Sequence, residues 1–268
     1  MTVLLTGGAG YIGSHVAVEL LQSGYDVIIA DNFYNSSQEV PERIREITEK
    51  SVRTYNVDIQ NSAALEQIFK QHEINAVMHF AGYKAVGEAV QQPLKYYRGN
   101  LDSTLTLLET MGKYQVKNLI FSSSATVYGN PSTLPITEAC PTGNIASPYG
   151  WTKYMIEQII TDYAAATLDF SAVIFRYFNP VGAHPSGLIG EAPNGTPNNL
   201  MPYITQVAMG KRKQLSVFGA DYDTPDGRYM YPGLHPYHGH CRWTHSRASA
   251  LHFASWRGSN QSGNRYGT

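Results

Sequence analysis

The chain has almost no cysteine, little charge and no long apolar run, and its final stretch lacks five residue types altogether. Two cysteines, Cys140 and Cys241, among 268 residues exclude a disulfide framework and lead us to expect a reducing cytoplasm. Charged residues are 15% of the chain and the formal net charge is −1, so no global field favours nucleic acid or an anionic membrane. No apolar run reaches the length of a bilayer span, and the start "MTVLLTGG" carries no charged leader ahead of an apolar core. Neither nucleic acid nor membrane is expected as a partner. From Arg228 to Thr268 there is no Asp, Glu, Lys, Ile or Val, but there are five Arg and five of the nine His. Residues 1–227 hold 15 Lys and Arg against 21 Asp and Glu, a net of −6, while residues 228–268 hold +5.

What is present is 43% hydrophobic residues in a length suited to one large domain, or one domain with a small lobe. Short apolar runs at 3–6, 26–31, 53–59, 76–80, 118–123 and 170–178 predict strands. They are continuously apolar, as in a parallel sheet covered on both faces. Stretches at 11–24, 61–72, 93–114 and 148–167 show helical spacing. The alternation predicts an α/β fold with a doubly wound parallel sheet. After Phe178 the Gly-, Pro- and Asn-rich "NPVGAHPSGLIGEAPNGTPNNLMPYI" reads as loops that leave the sheet for an incomplete second, smaller lobe. The expected division is 1–180 for a dinucleotide domain, 181–227 for a partial substrate lobe, and 228–268 for an aberrant tail.

"TGGAGYIGSH" places Gly7, Gly10 and Gly13 directly after the first strand and at the opening of a helix. Glycines at that spacing permit a tight turn, close approach of backbone N–H groups to a pyrophosphate, and close strand–helix packing. A plain glycine turn is the alternative for the triplet alone. Asp31 ends the second strand about twenty residues on, where an acid would bind a ribose and repel a 2′-phosphate, favouring NAD over NADP. Asp58, followed by Ile59, closes the third predicted strand. Its carboxylate could take an adenine amino group or could equally be a surface-turn acid.

"SPYGWTK" sets Tyr149 and Lys153 four residues apart on one helix face. An ammonium beside a phenol, together with the positive charge of a nicotinamide, favours the phenolate and is expected to lower its pKa; an ordinary surface pair is the alternative. Ser124 ends the fifth predicted strand in "FSSSATVYG", at the carboxyl edge where open α/β sheets bind ligands. A hydroxyl there can bond a substrate oxygen and pass its proton to Tyr149. Ser, Tyr and Lys downstream of a dinucleotide loop suit hydride transfer between an alcohol and a ketone.

With these residues the chain resembles the extended short-chain dehydrogenase/reductase family, with a Rossmann-like fold, and within it the nucleotide-sugar 4-epimerases. The strings "TGGAGYIGSH", "DNFYNSS", "VDI", "HFAGYKAVGEAV", "FSSSATVYG", "SPYGWTK", "RYFNPVGAHPSG" and "PNNLMPY" carry the resemblance from Met1 to about Asp226. It implies that Tyr11, Ile12, Asp31, Asn32, Asn35, Ser36, Asp58 and Ile59 contact NAD. It implies the same for Phe80, Ala81, Gly82 and Lys84, and for Ser124, Tyr149, Lys153 and Phe178. Asn100 follows the family as a cofactor contact, whereas Gly99 stands where some relatives have Asn. Asn179, Asn198, Asn199 and Leu200 would hold a UDP-sugar together with Ser124 and Tyr149, and Phe218 would flank the uracil.

The implied reaction interconverts UDP-glucose and UDP-galactose through a 4-keto sugar, with Tyr149 as base and NAD retained. Two alternatives are a 4,6-dehydratase and an NAD-binding protein without turnover. The first needs an acid–base pair where this chain has Ala125 and Thr126. The resemblance also implies a possible homodimer, paired through helices at 94–114 and 149–167.

The tail begins with "DGRYMYPGLHPYHGHCRW", which holds three His, three Tyr and one Cys. His238, His240, Cys241 and His245 could ligate zinc, but they lack the two separated ligand pairs of a structural site, so no metal is expected. Arg and aromatics together suggest a nucleic-acid patch, yet no recognisable module surrounds them. A third reading follows from the family, where a string like "RDYIHV" comes next. Read one base later, the codons for the residues from Arg228 onward permit "GICIRDYIHITDIADGH". Met230 before Tyr231 forces a cysteine codon and Trp243 before Thr244 forces glycine. The expectation is a shift of frame near Gly227, with activity of this chain weak or absent.

Overall fold

The computed structural model of the chain describes residues 1–131, 134–197, 199–216 and 234–236. Its first six strands are β1 (Thr2–Thr6), β2 (Asp26–Asp31), β3 (Arg53–Asn56), β4 (Ala76–His79), β5 (Asn118–Ser124) and β6 (Ser171–Tyr177). They form one sheet in the order β3-β2-β1-β4-β5-β6, parallel throughout. The order reverses between β1 and β4, which places a crevice beyond their carboxyl ends.

The strands read as unbroken apolar runs because the sheet is buried on both faces. Val3, Leu5, Val27, Ile29, Met78 and Ile120 join one core cluster. Their neighbours Leu4, Ile28, Val77, Leu119 and Phe121 join the other. Helices α1 (Tyr11–Gln22) and α2 (Val40–Thr48) cover the first face through Val16, Ala17, Leu20 and Ile44. Helix α3 (Ser62–Gln71) lies on the second and supplies Leu65 and Ile68. Two short helices follow, α4 (Val86–Gln91) and α5 (Pro93–Tyr97), and then α6 (Ser103–Lys113), α7 (Pro148–Ala166) and α8 (Leu200–Ala208). Of these, α6 and α7 complete the second core with Leu107, Met111, Ile156 and Ile160.

Three expectations are corrected. The third strand ends at Asn56 rather than 59, because the chain turns at Asp58, which accepts from the Gln60 and Asn61 amides. The helix expected at 93–114 contains a π-helical turn at Arg98–Asp102, a feature that recurs at functional sites. The turn-rich "NPVG" holds a short strand β7 (Asn179–Val181), which pairs in parallel with β8 (Leu234–Pro236). The tail lacks strand periodicity, but three residues of backbone pairing need none.

Inside β4, His79 is 1% exposed and sits between Thr6 Oγ1 (2.6 Å from Nδ1) and Thr104 Oγ1 (3.1 Å from Nε2). The Thr104 hydroxyl gives its only proton to the Asn100 carbonyl, so Nε2 donates to it and Nδ1 accepts from Thr6. Burial, with the nearby Lys153 charge, pushes the His79 pKa down to about 3. An unfolded chain would protonate this ring near pH 6.5. The unfolded state therefore binds more protons between these values, and stability is lost as pH falls from 6.5 toward 3. Urea unfolding from pH 6.5 to 5 should show a loss from this group that steepens from about 0.7 to nearly 1.4 kcal/mol per pH unit. His79→Gln should flatten that slope; an unchanged slope would place the proton uptake elsewhere.

Candidate active site

The loop between β1 and α1 is shaped by contacts that admit no side chain. Gly7 has φ +69°, and a Cβ on it would lie 2.6 Å from the Ala81 nitrogen; one on Gly13 would lie 2.5 Å from the Gly7 oxygen. Gly10 donates to Gly7 and accepts from Ser14, so the turn leads straight into α1 with its N-terminal amides toward the cleft. The backbone of the loop after β4 thus lies directly against the glycine turn.

Asp31, 7% exposed, organises the edge of this cradle. One carboxylate oxygen accepts from the Ala9 amide at 3.0 Å. The other accepts from the Phe33 amide at 2.8 Å and the Ser36 hydroxyl at 3.1 Å. Asn32 donates to Asp58 at 3.0 Å, which ties the ends of β2 and β3 together. The steric cradle and an acid at the end of β2 fit a dinucleotide with a free 2′-hydroxyl.

On the opposite side of the crevice, Ser124, Tyr149 and Lys153 converge. The helix carrying the last two starts cleanly because Ser147 caps it, accepting from the Gly150 amide at 3.1 Å. Lys153, 6% exposed, donates to the Ser122 carbonyl at 2.7 Å and stands 6.0 Å from the Tyr149 ring centre. Burial lowers its pKa to about 8, and Glu157 one turn further on opposes the fall. Glu157 is itself held by Arg176 at 2.7 Å and by the Ser123 hydroxyl.

Tyr149 departs from the part of the expectation that Lys153 carries. Its pKa is raised, because burial outweighs the Ser124 hydrogen bond that stabilises the phenolate. The ammonium that was to lower it is committed to Ser122. Within this chain alone the phenol is held and aimed rather than ionised.

These walls enclose a cleft of about 440 Å³, within the usual range for small-molecule sites. A match to the NAD dependent epimerase/dehydratase family spans residues 3–235. The chain belongs to that family. It is 57% identical over 235 residues to the UDP-glucose 4-epimerase of Haemophilus influenzae, covering 88% of this chain and 70% of that one. With the human UDP-glucose 4-epimerase it shares 54% over 239 residues, covering 87% and 69%. The crystal structure of the Bifidobacterium longum UDP-glucose 4-epimerase in complex with NAD+ and UDP superposes with TM-score 0.89 at 49% identity, covering 93% of this chain and 74% of that one. The Brucella ovis UDP-glucose 4-epimerase with NAD gives TM-score 0.85 at 35% identity, covering 94% and 74%.

Most residues expected at the site of this epimerase/dehydratase family member line one cleft. The glycine loop, Asp31, Asn32 and residues 34–36, Asp58 and Ile59, the stretch from Phe80 to Lys84, Ser124, Tyr149, Lys153, Phe178, Asn179 and Asn199 all border it. Asn100 does not. It is buried and bonds the Tyr83 amide at 2.7 Å, the Tyr83 carbonyl at 3.0 Å and Thr152 at 2.9 Å, so it shapes the wall from behind. Gly99 is explained by the same contact, since a Cβ there would lie 2.3 Å from the Tyr83 ring. Leu200 opens α8 and is absent from the lining. Asn198, Phe218 and the tail residues His238, His240, Cys241 and His245 lie outside the described residues. Sequence reasoning missed the Ser122 carbonyl, which has no side-chain signature, and Glu191, whose partners are distant in sequence.

Proposed function

We propose that this chain is built to interconvert UDP-glucose and UDP-galactose by 4-epimerisation. The observation that carries the reading is Tyr149, bonded to Ser124 and backed by Lys153, on the same cleft as the glycine cradle. The relatives' names support it. NAD, when bound, supplies a nicotinamide that takes a hydride from the sugar and gives it back, together with a positive charge near Tyr149. Asp31 accepts the ribose hydroxyls and the α1 amides hold the pyrophosphate. Asn179 and Asn199 hold the UDP-sugar. Tyr149 removes the proton of the sugar 4-hydroxyl, with Ser124 bridging the two oxygens, and returns it after the 4-keto sugar has turned over. Lys153 keeps a positive charge beside the developing phenolate. Net redox is zero, so the cofactor stays in place.

A 4,6-dehydratase is disfavoured by Ala125 and Thr126. The Thr126 hydroxyl is buried without a hydrogen-bond partner among the described residues, and neither side chain can protonate a leaving hydroxyl. Among the described residues no helix is long and apolar enough to cross a membrane. We place the enzyme in the cytoplasm and the pairing of two copies on α5, α6 and α7, where Leu94, Leu105 and Met155 are exposed.

We also infer that residues 228–268 are read out of frame, with the dinucleotide domain at 1–180 and a partial sugar-nucleotide lobe at 181–227. The composition break and the two forced codons support this. The decisive assay is therefore conversion of UDP-galactose to UDP-glucose by NAD-loaded protein whose frame is restored after codon 227. Binding of NAD without turnover would favour the non-catalytic alternative.

A further inference from the structure

After β7 the chain runs back along the mouth of the cleft, and residues 188–193 border it. Several polar ties hold this segment. The Tyr11 hydroxyl donates to the Gly182 carbonyl at 2.8 Å, and Asn194 donates to Asn35 Oδ1 at 3.0 Å and to the Tyr34 carbonyl at 3.2 Å. The central tie is ionic. Glu191 Oε1 accepts from Lys84 Nζ at 2.9 Å and also from Asn199 Nδ2. Only 9% of the Glu191 side chain is exposed, against 46% for Lys84. One carboxylate oxygen thus joins the loop after β4, on the cofactor side, to the start of α8, on the sugar side. A carboxylate so covered is retained only where donors satisfy it, and a charge-assisted bond holds its partner more firmly than a neutral one.

We propose that Glu191 is a positioning residue that fixes Lys84 and Asn199 against each other and fastens segment 188–194 across the cofactor cleft. This rests on the proposed NAD-dependent reaction, in which a cofactor that takes and returns the same hydride must not leave between turnovers. Glu191 touches no reacting atom and acts through its two partners. The tie spans both halves of the site, so it slows cofactor release most when it is intact.

The test is the rate at which NAD-loaded protein releases NAD. Released NAD is reduced in solution by an alcohol dehydrogenase with ethanol, and the absorbance of the reduced nucleotide is followed. Glu191→Gln should release NAD about fivefold faster, a modest factor because Lys84 is half exposed and the pair is screened. In a Lys84→Met background the same substitution should change release by less than about 1.5-fold, because the cation it acts on is gone. The nucleotide-free proteins should unfold at the same temperature; if Glu191→Gln does not, Glu191→Asp, which keeps the charge and shortens the reach, is read in its place and should also release faster. Equal release with and without the carboxylate, or the same acceleration in the Lys84→Met background, overturns the proposal. Failure of the unmodified chain to take up NAD would instead remove the proposed function itself.

Discussion

Replacing Tyr149 by Phe lowers kcat about a thousandfold in the frame-restored protein and leaves NAD bound, the loss lying within the range for a positioned proton-transfer group. The substitution removes one oxygen and keeps the ring, so packing in the buried site changes little. The raised pKa keeps the phenol neutral near pH 7 whether folded or unfolded, so its titration does not enter stability there. The unfolding temperature should therefore change little. Ser124→Ala should cost less, because it removes the bridge but leaves the base. A kcat unchanged by Tyr149→Phe would take the base away from this residue, and loss of NAD with it would reassign Tyr149 to cofactor binding alone. Steady-state kinetics and the nucleotide content of the purified variant read both outcomes.

The sheet was legible because burial on both faces leaves a mark that needs no tertiary knowledge. Leu4 and Leu5 face opposite cores, so the run from Val3 to Leu5 has no polar position to interrupt it. The glycine turn was legible for a similar reason, since close backbone approach tolerates no substitute at Gly7 or Gly13. The π-helical turn was not, because apolar spacing on either side of "RGNLD" continues as in any helix. Only the placement of Asn100 against Tyr83 and Thr152 gives the extra residue a purpose. Helix α2 was also missed. It is short, and of its residues Ile44 alone is fully buried, which leaves little periodicity to find. Glu191 was invisible for the opposite reason. Its partners Lys84 and Asn199 are 107 and 8 residues away, in loops whose Gly- and Pro-rich text predicts only turns. The part of the Tyr149 expectation that rests on Lys153 was not legible, because sequence places that lysine on the right face but does not show that its nitrogen points to Ser122.

Restoring the reading frame should raise turnover about a thousandfold over the 268-residue chain. Removing one base at codon 228 permits the downstream codons to read "GICIRDYIHITDIADGH", with the cysteine from Met230–Tyr231 and the glycine from Trp243–Thr244 forced. The arginine this places at position 232 would face a diphosphate as a bidentate donor. Loss of a hydrogen-bonded charged partner costs about 2–5 kcal/mol, which spans factors of about 30 to several thousand. One structural detail fits the shifted reading. The short strand β8 occupies Leu234–Pro236, the three positions where the shifted frame places Tyr, Ile and His, and it lies beside β7 at Asn179. Backbone pairing survives the change of side chains there, whereas proline at position 236 removes a donor that histidine would keep. The substrate side of the site is thus predicted to fail in this chain while the cofactor side, built from residues upstream of the break, still binds NAD. Full turnover by the 268-residue protein, or no gain on restoring the frame, would show that residues 228–268 are read as they stand and that the diphosphate is held by other groups.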